Sequence, residues 1–139
     1  MPQGFELVFN DYGAPTRHIS TIPAANAALF KEGQAVTITN GLVVVASTTG
    51  VPAGFATANT TSDGVKPVDF ILAREGDNFE VPYTGTPNAA FLAGAQTVAL
   101  SADGLSVDSA TVAGGALSVL SVNTVKKTCI VKVKKRVFS

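Results

Sequence analysis

Apolar and polar residues alternate along two stretches of this chain, and a turn dipeptide interrupts each alternation. The first stretch, opened by Gly33, reads Val36-Thr37-Ile38-Thr39-Asn40-Gly41-Leu42-Val43-Val44. The second, opened by Gly94, reads Val98-Ala99-Leu100-Ser101-Ala102-Asp103-Gly104-Leu105-Ser106-Val107, about 62 to 64 residues further on. Period-two alternation predicts strands. Asn-Gly or Asp-Gly between two such runs predicts a hairpin, because Asn, Asp and Gly tolerate the positive φ of a tight β-turn. Each hairpin is followed by a Gly/Ala-rich stretch and another strand, Gly54 to Thr60 in the first copy and Leu117 to Thr124 in the second. A last apolar strand closes each copy, Val68 to Leu72 and Thr128 to Val133. The expected fold is all-β: a small β-barrel or β-sandwich built from two similar hairpin-containing units, about 33–73 and 94–134, within a β-domain over 31–139.

Residues 1–30 follow a different pattern and are expected to form an extended N-terminal arm. Phe5-Glu6-Leu7-Val8-Phe9 alternates as a short strand, and Asn10 to Pro15 is a turn cluster. Thr16 to Pro23 shows no period. Ala24 to Lys31 is the one stretch with helical composition, so a short helix of about two turns is expected near 24–31, needing packing to persist. With strict alternation, Phe5, Leu7 and Phe9 share one face. That face suits a strand added to a neighbour's sheet or a strand of the chain's own core. Pro82 marks Phe79 to Tyr83 as an edge strand or strand end, since proline cannot donate to a ladder.

Composition adds a partner to this picture. Of the 139 residues, 46% are hydrophobic and only 14% charged, against roughly 25% charged in average soluble domains. So small and apolar a chain is expected to hide part of its surface in another copy or another protein. Formal net charge is zero, yet Lys126, Lys127, Lys132, Lys134, Lys135 and Arg136 follow one another with no acid between them. Lys132 and Lys134 alternate with Val131 and Val133, which makes them the solvated face of a strand. An acidic protein surface is the other reading of this cluster. Direct nucleic-acid binding is not expected, because no aromatic residues are interleaved for base stacking. No leader pattern and no apolar run of membrane-spanning length is seen, so a soluble protein without membrane contact is expected.

The sequence offers little chemistry. His18, the only histidine, follows Arg17 in the arm and has no evident catalytic companions. One His and one Cys, Cys129, on separate segments do not make a metal set. Asp63 and Asp103 are explained by turns, and no nucleophile elbow or phosphate-binding loop is present. The chain is expected not to be an enzyme and to carry no cofactor and no metal.

The order of elements resembles a known family. Lys31-Glu32-Gly33-Gln34-Ala35-Val36, the Asn40-Gly41-Leu42-Val43 turn, Gly54-Phe55-Ala56, Phe79-Glu80-Val81-Pro82-Tyr83, the segment from Gly94 to Asp103-Gly104-Leu105, and the closing strand Cys129 to Val133 are similar to tailed-bacteriophage capsid cement (head decoration) proteins. The likeness covers about residues 31–134 and leaves out the first 30 residues and the basic end. It implies a virion protein on the outer surface of the expanded capsid, with the major capsid protein as partner. It further implies a homo-oligomer, a trimer or else a dimer. Phe5, Leu7, Phe9, Tyr12, Arg17, His18 and Phe30 are then the candidate contacts to the lattice or to a neighbouring subunit. A tail, fibre or baseplate component, or a host-surface or carbohydrate-binding module, is the alternative.

Overall fold

The computed structural model describes residues 4–138. In chain order its strands are β1 (Glu6–Asn10), β2 (His18–Ile19), β3 (Leu29–Phe30), β4 (Ala35–Thr39), β5 (Leu42–Val45), β6 (Gly54–Ala56), β7 (Thr60–Thr61), β8 (Phe70–Leu72), β9 (Asp77–Thr84), β10 (Ala99–Leu100), β11 (Val107–Asp108), β12 (Leu117–Asn123) and β13 (Thr128–Val133). The fold is all-β, with no helix among the described residues. A six-stranded sheet runs β10-β11-β9-β13-β12, with β1 also on β9; a five-stranded sheet runs β2-β8-β6-β4-β5; β3 and β7 pair alone. The six-stranded sheet curls into a half-barrel.

Strand β9 is the spine of that sheet. Along one edge it pairs antiparallel with β13, from Thr128↔Pro82 to Lys132↔Asn78. It also carries β1 up to Glu6↔Glu80 and then, in parallel, β11 from Val107↔Tyr83. Pro82 therefore lies in a central strand, not at the edge or strand end expected from its missing donor. The Tyr83 N–H points to Lys127 O on the β13 side. Alternation turns the Pro82 nitrogen to the other side, into the gap between β1 and β11, where no ladder bond is lost.

The inner face of the half-barrel holds the larger core: Phe79, Val81, Val98, Leu100, Val107, Leu117, Val119, Cys129, Val131 and Val133, joined by Phe5 and Phe55. Phe55 comes from the five-stranded sheet and stacks on Phe5 at 4.4 Å between ring centroids, with Phe79 at 4.5 Å on Phe55. A second core under the five-stranded sheet gathers Ala24, Phe30, Val36, Val43, Ala53, Ala56, Val68 and Phe70. Burial, with a lesser push from Glu80, raises the Cys129 thiol to about 12. The native protein should therefore react with a thiol reagent at least about a thousandfold more slowly than the denatured chain. Fast native labelling would place Cys129 outside the core.

The first hairpin forms as its dipeptide predicts. Asn40 (φ 52) and Gly41 (φ 78) are both left-handed, and Thr39 faces Leu42 across a two-residue turn of type I′. A Cβ on Gly41 would meet nothing within 4 Å. Gly41→Ala should therefore cost only the left-handed backbone penalty, about 1–2 kcal/mol in urea unfolding. No loss would mean that the turn is not held in this conformation. The Asp103-Gly104 turn is wider, closing with Ser101 N–H on Ser106 O at 2.9 Å.

The expected helix near 24–31 is absent. Ala24 bridges Val43, the Ala25 N–H donates to Val43 O and the Ala27 N–H to Ser62 O. Ala27 turns left-handed (φ 58), and Leu29–Phe30 pairs with β7. Eight residues cannot nucleate a helix cheaply, and here neighbouring segments satisfy the same backbone groups while Ala24 and Phe30 enter the second core. Within the first 30 residues, β1 pairs with β9 and β2 with β8 of the same chain, whereas residues 11–17 between them belong to no strand and are exposed.

Candidate functional site

Alternation alone would put Phe5, Leu7 and Phe9 on one face. A β-bulge separates them. The register shifts between Leu7, which faces Phe79, and Phe9, which faces Asn78. Neighbouring residues of β9 point to opposite sides, so Leu7 turns toward the core and Phe9 outward. Phe5 is buried in the aromatic cluster. Val8 and Phe9 remain 43% and 46% exposed. Among the described residues β1 has no strand on its outer edge. That open edge, with two apolar side chains on it, is the candidate contact surface.

The other candidates are dispersed. Phe30 is buried in the second core. Tyr12 is 73% exposed, in the loop after β1. Arg17 is exposed beside β2, and its carbonyl accepts the Leu72 N–H. His18 lies on β2, its Nδ1 2.9 Å from Asp69 Oδ2, which also accepts the Thr57 hydroxyl at 2.8 Å. Burial pushes the Asp69 carboxyl up, but His18 and Thr57 together outweigh it and hold it below its usual value. Both the His18 and Asp69 side chains are about half exposed, so the pair fastens β2 to the sheet only weakly.

The end of β1, within the Asn10 to Pro15 stretch expected as a turn, is fixed by a polar cluster. Asp77 is fully buried. Its Oδ2 accepts Arg74 Nε at 3.0 Å, and its Oδ1 accepts Arg74 Nη2 at 3.1 Å and Asn10 Nδ2 at 2.7 Å. Beside it Asn78, also fully buried, donates to Asp11 Oδ1 at 2.9 Å. Lys132 closes the network on the other Asp11 oxygen. The Lys132 bond, then Asn78, holds the Asp11 carboxyl below its usual value. The close spacing of Arg74, Asp77 and Asn78 was the available signal; the partners Asn10 and Asp11 are distant in sequence.

The basic residues do not form one patch. Lys126 and Lys127 occupy the β12–β13 turn, where Asn123 Oδ1 accepts the Val125 and Lys126 N–H groups. Lys132 to Arg136 lie at the opposite end of β13. There Lys132 is paired with Asp11, Lys134 Nζ donates to Gln96 Oε1 at 2.9 Å, and Arg136 Nη1 donates to Val133 O at 2.7 Å. Comparison with protein-family models and with curated proteins finds no match.

Proposed function

We propose that this chain is a capsid decoration (cement) protein, a structural virion protein that binds the outer surface of the expanded phage capsid and stabilises it. The observation that carries the reading is the open β1 edge bearing exposed Val8 and Phe9. An unpaired strand edge with apolar side chains is a template for a partner's backbone and an anchor for its apolar surface. The bulge at Val8 turns Phe9 toward that partner while Phe5 and Leu7 hold the strand to the core. The partner is the major capsid protein, and copies assemble as a homo-oligomer, a trimer in the family this chain resembles. Binding one state of the shell and not the other stabilises that state by mass action, with no reaction centre.

The same reading makes the fold two copies of one unit that together complete a small barrel. Strand pairing supports it. In the first segment Val36 faces Gly54 and Gly54 faces Leu72. In the second Val98 faces Leu117 and Leu117 faces Val133. Each hairpin thus hands over to a later strand that pairs with the next, in one order.

Phe9→Asp tests the contact. It should weaken binding to expanded heads by at least about tenfold, the loss of a desolvated apolar anchor. Unfolding free energy should stay within about 0.5 kcal/mol, because the side chain is half exposed. Undiminished binding by the folded variant would remove β1 from the interface.

A further inference from the structure

The outer face of the half-barrel carries a shallow depression of about 460 Å³, lined by Tyr12, Glu75, Gln96, Lys132, Lys134 and Arg136 among others. None of these is used by the core or by the proposed β1 contact. The Tyr12 ring is exposed but lies against Gly76. The Tyr12 backbone N–H donates to Asn10 Oδ1 at 2.8 Å, and the ring packs so closely on Gly76 that a Cβ there would lie 2.8 Å from Tyr12 Cε2. Gly76 is left-handed at φ 85, so glycine supplies both the turn and the room for the ring.

The polar lining is mixed. Lys132 is neutralised by Asp11. Lys134 and Arg136 each spend one donor on a neutral oxygen, and among the described residues neither meets a carboxylate. A lysine ammonium has three donors and a guanidinium five, so most of theirs remain to be used. Glu75 adds an exposed acceptor and Gln96 an amide held in place by Lys134. An exposed aromatic face, spare cationic donors, an amide and a carboxylate acceptor together match a ligand with an apolar ring face, several hydroxyls and one carboxylate.

We propose that this depression binds a saccharide bearing a carboxylate, of the uronic-acid type. The Tyr12 ring takes the C–H face of the sugar, Arg136 and Lys134 take the carboxylate, and Glu75 and Gln96 take hydroxyls. An acidic peptide fits less well, because a peptide carboxylate leaves the ring unused. The inference does not use Val8 or Phe9, the residues of the proposed capsid contact, although Tyr12 is among the contacts expected from the sequence.

The test is a titration of the ¹⁵N-labelled full chain with sodium glucuronate, glucose, sodium acetate and tetraglutamate, followed by amide chemical shifts. Glucuronate should give saturable shifts at Tyr12, Gly76, Gln96 and residues 132–136, with a dissociation constant on the order of millimolar. Glucose should bind at least about tenfold more weakly, for want of the charge-assisted bonds. Tyr12→Ala and Arg136→Gln should each weaken glucuronate by about tenfold and leave distant shifts unchanged. Absence of shifts with glucuronate up to about 100 mM, far above such a constant, overturns the proposal. Equal response to acetate or to tetraglutamate also overturns it, by reducing the depression to a simple anion or acidic-peptide site.

Discussion

Phe55→Ala is expected to lower the unfolding free energy by about 3–5 kcal/mol. Phe55 belongs to the five-stranded sheet, but its ring is buried against Phe5 at 4.4 Å and Phe79 at 4.5 Å, both on the side of the six-stranded sheet. Truncation removes the transfer free energy of a full aromatic side chain and leaves a cavity between two sheets. Neither sheet can collapse into that cavity without moving its own strands. The neighbouring backbone is closely packed: a Cβ on Gly54 would lie 2.0 Å from Ile71 O and 2.6 Å from Phe70 Cδ2. Native domains are stable by only about 5–15 kcal/mol, so the loss is a large share of the total. Urea unfolding of the variant measures it. A loss below about 1 kcal/mol would mean that the two sheets do not share one core.

Asp77→Ala costs about 3 kcal/mol, at the lower end for breaking a buried ion pair because Arg74 keeps some solvent access. The fully buried carboxylate satisfies Arg74 through two bonds and Asn10 through one. Its removal leaves the guanidinium and an amide without partners at the point where β1 ends. Exchanging Arg74 and Asp77 together for leucine should cost less than the two single changes added, since no charge is then stranded. Additive losses would show that the two side chains do not act as a pair. Amide exchange should also quicken along β1 in Asp77→Ala, because Asn10 is its tether to β9.

Much of the β architecture was legible because it rests on local signals. Asn40-Gly41 specifies its own turn, and the alternation from Thr128 to Val133 places Cys129, Val131 and Val133 inside and Lys132 outside. What was not legible depends on partners distant in sequence. The two-residue strands β2, β3 and β7 are too short to carry a period. The alanines before Leu29 gave a helical composition, but Val43 and Ser62 take their backbone bonds. Pro82 argued for an edge, and only the gap between β1 and β11 makes it compatible with a central strand. At the candidate site, Val8 and Phe9 were visible as apolar residues of a strand, but the bulge that turns Phe9 away from Leu7 has no composition signal. The Asp77 cluster joins Arg74, Asp77 and Asn78 to Asn10, Asp11 and Lys132, which come together only because β1 and β13 both pair with β9.

The proposed role is state-specific binding to a phage shell, which co-sedimentation would reveal. Purified protein is pelleted with expanded, undecorated heads of its proposed source phage, with unexpanded procapsids in parallel. Saturable pelleting with expanded heads alone is the predicted result. Equal pelleting with both shells, or with neither, would contradict it.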